Sequence, residues 1–171
     1  YVADRIAAGG TVFHDHGAVR TVAITGQGAL PGGEAAILRI LEPLGYARAG
    51  HYPLDRLKMT GRSYAQKDLP EDIAQFFISE LHPERFGPDF EAVARRVTGT
   101  ARDPLTPAAV DALARLTAEG TLPVTEAAAI LPVLVGCFDR QHDIPALADY
   151  EALKTASAEM AWIATEGNAF N

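Results

Sequence analysis

The sequence predicts an α+β fold in which a βαβββ unit precedes a block of helices. Three observations carry this reading. Period-two alternation dominates the first half of the chain, and one helical stretch interrupts it. After about residue 83 the chain turns alanine-rich, with apolar residues at helical spacing. Glycine and proline clusters fall between these stretches and punctuate them.

The elements follow in order. Residues 14–24 alternate, so an extended chain places His14, His16, Ala18, Arg20, Val22 and Ile24 on one face. Gly26, Gly28, Pro31, Gly32 and Gly33 end that strand. Residues 34–44 carry Ile37, Leu38 and Leu41 at helical spacing, and Pro43 to Gly45 stops them. Residues 46–52 and 57–64 read as strands joined through Pro53. Asp68 to Pro70 forms a turn, and residues 75–81 are apolar enough for a buried strand, with a helix as the other option.

The helical block opens with 88–97, where Phe90, Val93 and Val97 share a side. Thr106 precedes Pro107 as an N-cap before a first-turn proline, and Val110, Leu113 and Leu116 repeat until Gly120. Residues 125–138 form a third helix that Pro132 breaks or kinks, and 145–156 a fourth. From about Glu159 the sequence reads as strand again.

Composition narrows the function classes. The 171 residues suffice for one domain, or one and a half, with a packed core. Charged residues at 22% and apolar residues at 48% match soluble globular proteins and exclude widespread disorder. The net charge is −7 and no basic tract exceeds Arg95-Arg96, which argues against nucleic acid as a partner. No apolar run approaches the roughly 20 residues that cross a bilayer, so no membrane partner is expected. The single cysteine, Cys137, forms no internal disulfide and favours a reducing, cytoplasmic setting. Its apolar flanks suit a buried thiol better than a nucleophile. The chain starts at Tyr1 and stops at Asn171 inside an ordered-looking stretch, as a piece of a longer protein would.

Several side chains can carry chemistry. His14 and His16 would lie about 7 Å apart on one strand face, an arrangement that suits iron or zinc; the plainer reading is a polar strand start. Arg20 shares that face, about 13 Å from His16 along the strand. Its guanidinium fork suits a substrate carboxylate, or equally a structural acid. Glu80 and His82 share a face, with Glu80 expected to pair with a nearby Arg or Lys and His82 to cap the turn at Pro83. Lys58 and Arg62 either bind an anion or form a solvated strand face. No Walker loop, dinucleotide fingerprint, nucleophile elbow or CxxC pair is present.

Longer motifs add a resemblance. They are Asp15-His-Gly-Ala-Val-Arg-Thr21, Gly45-Tyr46, Gly50-His-Tyr-Pro-Leu-Asp-Arg-Leu-Lys-Met-Thr-Gly-Arg-Ser-Tyr64, Gln75-Phe-Phe-Ile-Ser-Glu-Leu-His-Pro-Glu-Arg-Phe86 and Glu159-Met-Ala-Trp-Ile-Ala-Thr-Glu-Gly-Asn-Ala-Phe-Asn171. Together, and in this order, they resemble the 2-oxoadipate dioxygenase/decarboxylase family. Its members are iron(II) enzymes related to the vicinal oxygen chelate superfamily, with an active site resembling that of hydroxymandelate synthase.

The resemblance implies a vicinal-oxygen-chelate-like βαβββ half-module over 1–82, a helical insertion over 83–157 and the start of a second half-module over 158–171. It implies conversion of 2-oxoadipate and O2 to 2-hydroxyglutarate and CO2, a step of bacterial lysine breakdown, with Fe(2+) as cofactor. His16 then corresponds to the first of two histidine ligands and Arg20 to the arginine that contacts the substrate carboxylate. The second histidine of the family follows the Gly-Asn-Ala-Phe-Asn run, and a glutamate ligand lies further on. As printed, the sequence holds one of the three ligands. Two other readings stay open: a glyoxalase-like metalloenzyme completed by a second chain, and a non-catalytic binding or structural fragment. The oligomeric state is not legible.

Overall fold

A computed structural model describes residues 1–12 and 15–167. A short helix α1 (Val2–Ala7) buries none of its residues. The βαβββ unit follows as strand β1 (His16–Val22), helix α2 (Ala35–Leu41), and strands β2 (Tyr46–Leu54), β3 (Met59–Gln66) and β4 (Gln75–Leu81). The five-element order is the expected one.

The strands form one sheet in the order β1-β4-β3-β2. The three later strands are an antiparallel meander, and β4 closes it by pairing in parallel with β1. Parallel neighbours need a crossover, and α2 begins it. Residues 75–81 thus form an interior strand rather than a helix, with Ile78 and Leu81 fully buried. Pro53 does not join two strands as expected. It lies within β2, opposite Thr60, on an edge strand that tolerates the missing N–H. The chain reverses after it through a 3-10 turn at Asp55–Leu57 and through Lys58 at φ 54°.

Helices α3 (Pro88–Thr98), α4 (Pro107–Glu119), α5 (Val124–Gly136) and α6 (Leu147–Ala156) follow. Thr106 caps α4 by accepting the Ala109 N–H at 3.2 Å, and Gly120 ends it at φ 75°. Helix α5 continues through Pro132 instead of stopping there. A last helix α7 (Ala158–Glu166) corrects the expectation of strand-like structure from Glu159. Ser157 accepts the Met160 N–H at 3.1 Å as its N-cap. Met160, Ile163 and Ala164 then repeat at i, i+3 and i+4 and bury themselves, which is the helical period. Residues 168–171 lie outside the described residues.

The helices divide between the two sides of the sheet. Val19, Tyr46, Tyr64 and Ile78 pack on Ile37 and Leu41 of α2. Behind α2, Ile40 packs into α4 and α5 through Ala109, Leu113, Ile130 and Leu134. On the opposite side, Val22, Met59 and Leu81 pack on Phe90 and Val97 of α3, Leu153 of α6 and Met160 and Ile163 of α7. Among the described residues no helix is long and apolar enough to cross a membrane.

The end of α7 is clamped by the segment before α6. Buried His142 donates from Nε2 to the Ala164 carbonyl at 3.0 Å, and Arg140 donates to the Thr165 carbonyl at 2.5 Å. Both carbonyls belong to the last turn, where the intrahelical ladder runs out of donors in general. Burial holds the His142 imidazole below its ordinary value, against the opposing pull of the Ala164 bond. The folded chain therefore keeps His142 neutral, while the unfolded chain takes up a proton near the ordinary pKa of 6.5. Stability is complete above that pH and falls as the pH drops from it toward the folded-state pKa. Urea unfolding between about pH 7.5 and about pH 5 should show a steeper loss for wild type than for His142→Gln, which keeps a donor but does not titrate. Equal slopes would reject the clamp as the source.

Candidate active site on the face opposite α2

Alternation along β1 puts His16, Ala18, Arg20 and Val22 on one face and Gly17, Val19 and Thr21 on the other. Val19 packs toward α2, so the His16 face is the side away from that helix. Register extends this face across the sheet. His16 pairs with Gln75, Ala18 with Phe77 and Arg20 with Ser79, while Phe77 pairs with Ser63 and Ser79 with Gly61. Gly61 and Ser63 pair in turn with Tyr52 and Gly50.

The α3–α6–α7 cluster covers one end of this face, and the other end is open. There Asp15, His16, Tyr52, Ser63, Gln75, Phe76 and Phe77 line a cleft of about 210 Å³. Small residues make room in it. A Cβ at Gly61 would lie 2.5 Å from Phe77 Cζ, so the bare backbone lets that ring lie across the strand. Tyr52 and Phe77 meet with ring centroids 5.6 Å apart.

His16 is half-exposed, and its Nδ1 lies 2.9 Å from Asp15 Oδ2. The hydrogen bond from His16 holds the Asp15 carboxyl below its ordinary range. With Nδ1 engaged, Nε2 is the ring's remaining donor atom. Arg20, on the same face, has its guanidinium carbon 5.5 Å from the centroid of the Trp162 ring on α7. His14 lies outside the described residues. Among the described residues no group of three His, Cys, Asp or Glu side chains converges as a metal site. His16 fits one position of an iron site, but the described donor set does not make up the site.

The other candidates lie on the opposite face or at its edge. Arg62 does not form a solvated face, because it is mostly buried against two carboxylates. It donates to Glu80 Oε2 at 3.0 Å and lies 3.1 Å from Glu34 Oε2. Glu34 also accepts the Tyr64 hydroxyl at 2.7 Å, and its own N–H donates to Glu80 Oε1 at 3.1 Å. Burial opposes the Arg62 charge, but the bonds to Glu80 and Glu34 outweigh it and hold the guanidinium above its ordinary value. Burial, then the bond to Glu34, pushes the Tyr64 phenol up. Glu80 thus has the basic partner expected of it. His82 stands at the N-cap of the 3-10 turn Pro83–Phe86, yet its side chain makes no capping bond. It bonds Thr60 Oγ1 at 2.8 Å instead and lies 3.4 Å from Glu84. Lys58 rests 4.0 Å above the Phe86 ring. Cys137 is buried, its thiol pushed up to about 11 by desolvation, which suits the inert role.

Sequence reasoning missed Tyr52, Ser63, Gln75 and Phe77 as lining residues. Each follows from alternation once the strand order is known, because the register carries the His16 face from β1 through β4 and β3 to β2.

A family model described as 2-oxoadipate dioxygenase/decarboxylase matches residues 3–171. The chain belongs to this family. A glyoxalase superfamily protein of Ralstonia eutropha JMP134 is 60% identical, with a TM-score of 0.95 over 99% of this chain and 53% of that one. The hydroxyglutarate synthase of Oryza sativa, solved in complex with 2-oxoadipate, is 19% identical, with a TM-score of 0.69 over 99% of this chain and 48% of that one. The Pseudomonas putida hydroxyglutarate synthase, also solved with 2-oxoadipate, is 20% identical, with a TM-score of 0.72 over 91% and 34%. At these identities the two synthases share the family's fold. The chain spans about half the length of the first of these structures, and no curated protein matches it.

The part-buried charge network gives a direct test on stability. Arg62→Met leaves Glu34 and Glu80 facing each other without the cation between them. Removing one partner of a buried pair costs about 3–5 kcal/mol, and the partial exposure here sets the expectation at the lower end. Adding Glu80→Gln should recover part of the loss in urea unfolding. A double variant no more stable than Arg62→Met would show that charge is not the source.

Proposed function

We propose that this chain forms the N-terminal part of an iron(II)-dependent 2-oxoadipate dioxygenase/decarboxylase. The substrate is a 2-oxo dicarboxylic acid, and the products are 2-hydroxyglutarate and CO2. Carbon one leaves as CO2, one oxygen atom of O2 enters the new carboxylate and the other becomes the 2-hydroxyl. The place of the reaction is lysine breakdown in the cytoplasm. The observation that carries the reading is the common face of β1, which presents His16 and Arg20 together beside the cleft.

The residues divide the work by their chemistry. His16 would give the metal one imidazole, held in a single tautomer by Asp15; the remaining ligands would come from outside the described residues. Bound there, iron(II) supplies the redox chemistry that couples loss of the carboxylate to the use of O2. Arg20 takes the distal carboxylate through its planar fork and has no lone pair for a metal. Tyr52 and Phe77 form an apolar wall that limits water beside the substrate chain. No external reductant or second 2-oxo acid is required, because the substrate carries its own.

The test is oxygen uptake and product analysis on the whole protein with 2-oxoadipate, set against isomerisation of a hemithioacetal, which a glyoxalase-like enzyme would catalyse. His16→Ala should lose iron and activity together. Arg20→Lys should keep iron and weaken use of 2-oxoadipate by roughly ten- to a hundred-fold, the loss of one charge-assisted pair. An Arg20→Lys protein that lost iron but kept its affinity for 2-oxoadipate would overturn the division of roles.

A further inference from the structure

Strand β3 carries two hydroxyls in succession, and strand alternation sends them to opposite faces. Tyr64 faces α2 and donates to Glu34 at 2.7 Å. Ser63 faces the His16 cleft, which it lines together with Tyr52. Among the described residues neither the Ser63 nor the Tyr52 hydroxyl has a hydrogen-bond partner in the protein. On the α2 face Arg62, Glu80, Glu34 and Tyr64 satisfy one another. On the cleft face the two hydroxyls are open to water or to a ligand.

Register brings these hydroxyls together. Ser63 pairs with Gly50 across β3 and β2, and Tyr52 stands two residues further along β2, so all three share a face. A Cβ on Gly50 would collide with the Tyr52 hydroxyl and would lie 2.8 Å from Ser63 Oγ. The Tyr52 side chain therefore lies back along its own strand over the bare glycine. Its ring meets Phe77 at 5.6 Å, while its hydroxyl reaches the space above Gly50. Hydrogen bonds between oxygens run about 2.7–2.8 Å. One ligand oxygen held above Gly50 can thus accept from both hydroxyls.

The place of this pair relative to His16 also follows from register. Ala18 pairs with Phe77 and Phe77 with Ser63, so His16 lies two strands across and two residues back from Ser63. Strand spacing and rise put the two Cα atoms about 12 Å apart, and both side chains reach into the gap. A short acid with its 2-oxo end at His16 brings its tail to the hydroxyls. We infer that Tyr52 and Ser63 form a neutral hydrogen-bonding subsite for the distal carboxylate, through which the cleft favours dicarboxylic over monocarboxylic 2-oxo acids. The inference rests on the proposed function, which places the 2-oxo end at His16. No Arg20 donor is required, because a carboxylate has about four lone-pair sites and the two hydroxyls share one oxygen.

The test uses the iron-loaded whole protein and compares wild type with Tyr52→Phe, Ser63→Ala and Gly50→Ala. The first two each remove one hydroxyl and little else. The third keeps both hydroxyls and fills the space between them. The substrates are 2-oxoadipate and 2-oxohexanoate, which has the same length but lacks the distal carboxylate. Each variant should raise KM for 2-oxoadipate roughly two- to ten-fold, the worth of one hydrogen bond, with little change in kcat. KM for 2-oxohexanoate should stay close to that of wild type. Equal losses on both substrates, or no loss from Tyr52→Phe and Ser63→Ala, overturn the inference alone. A loss from only one of those two variants overturns the shared subsite. Absence of 2-oxoadipate turnover by wild type overturns the proposed function and this inference with it.

Discussion

The parallel pairing of β1 with β4 is the constraint on which the other features depend. It joins the first strand of the unit to its last, and it needs the crossover that α2 begins. With α2 on one face, the cleft beside His16 opens on the other. Val19 and Ile78 are fully buried partners in that pairing and face α2. A slip of one residue would turn Val19 outward and carry His16 and Arg20 under the helix. Core packing therefore fixes the face on which the candidate site lies, although neither Val19 nor Ile78 lines it.

The same alternation separates two kinds of charge. Arg62 and Glu80 occupy the α2 face, where they meet Glu34 just before that helix and the Tyr64 hydroxyl. A side chain on Gly33 would collide with the Glu80 carboxylate, so glycine at φ 60° allows the helix to start against it. Every charge in this group has a partner of opposite sign, and the group ties the helix to three positions of the sheet. His16 and Arg20 stand one layer away, on strand positions of the other parity. The parity of a position along its strand thus decides on which side of the sheet its charge stands.

The legible part of the structure was the part set by local rules. Strand alternation, the Thr106-Pro107 start, the Gly120 stop and the order β, α, β, β, β need only neighbours in sequence. The partner of Arg62 was not legible, because Glu80 lies on another strand and the pair follows from register. Tyr52, Ser63, Gln75 and Phe77 were missed as lining residues for the same reason. Residues 158–166 misled for a different reason. Trp162, Ile163 and Thr165 favour strands by side-chain shape, whereas the Ser157 cap and the buried Met160, Ile163 and Ala164 decide for helix. Propensity is the weaker influence where tertiary burial supports one period.

That helix also shows how one period sorts side chains between core and surface. A strand at 158–166 would alternate its side chains and place Met160, Trp162 and Ala164 on one face. The helical period instead buries Met160, Ile163 and Ala164 together and turns Trp162 away from them, beside Arg20. The indole stands beside the arginine because its neighbours hold the helix against Val22, Met59 and Leu81. Those three residues are the buried end of the face whose open end carries His16. One sheet face thus changes along its length from core to cleft, and Arg20 with Trp162 stands at the change. The Arg20 guanidinium carbon lies 5.5 Å from the ring centroid there, so the helix that closes the core also supplies a neighbour to a strand residue on the cleft face.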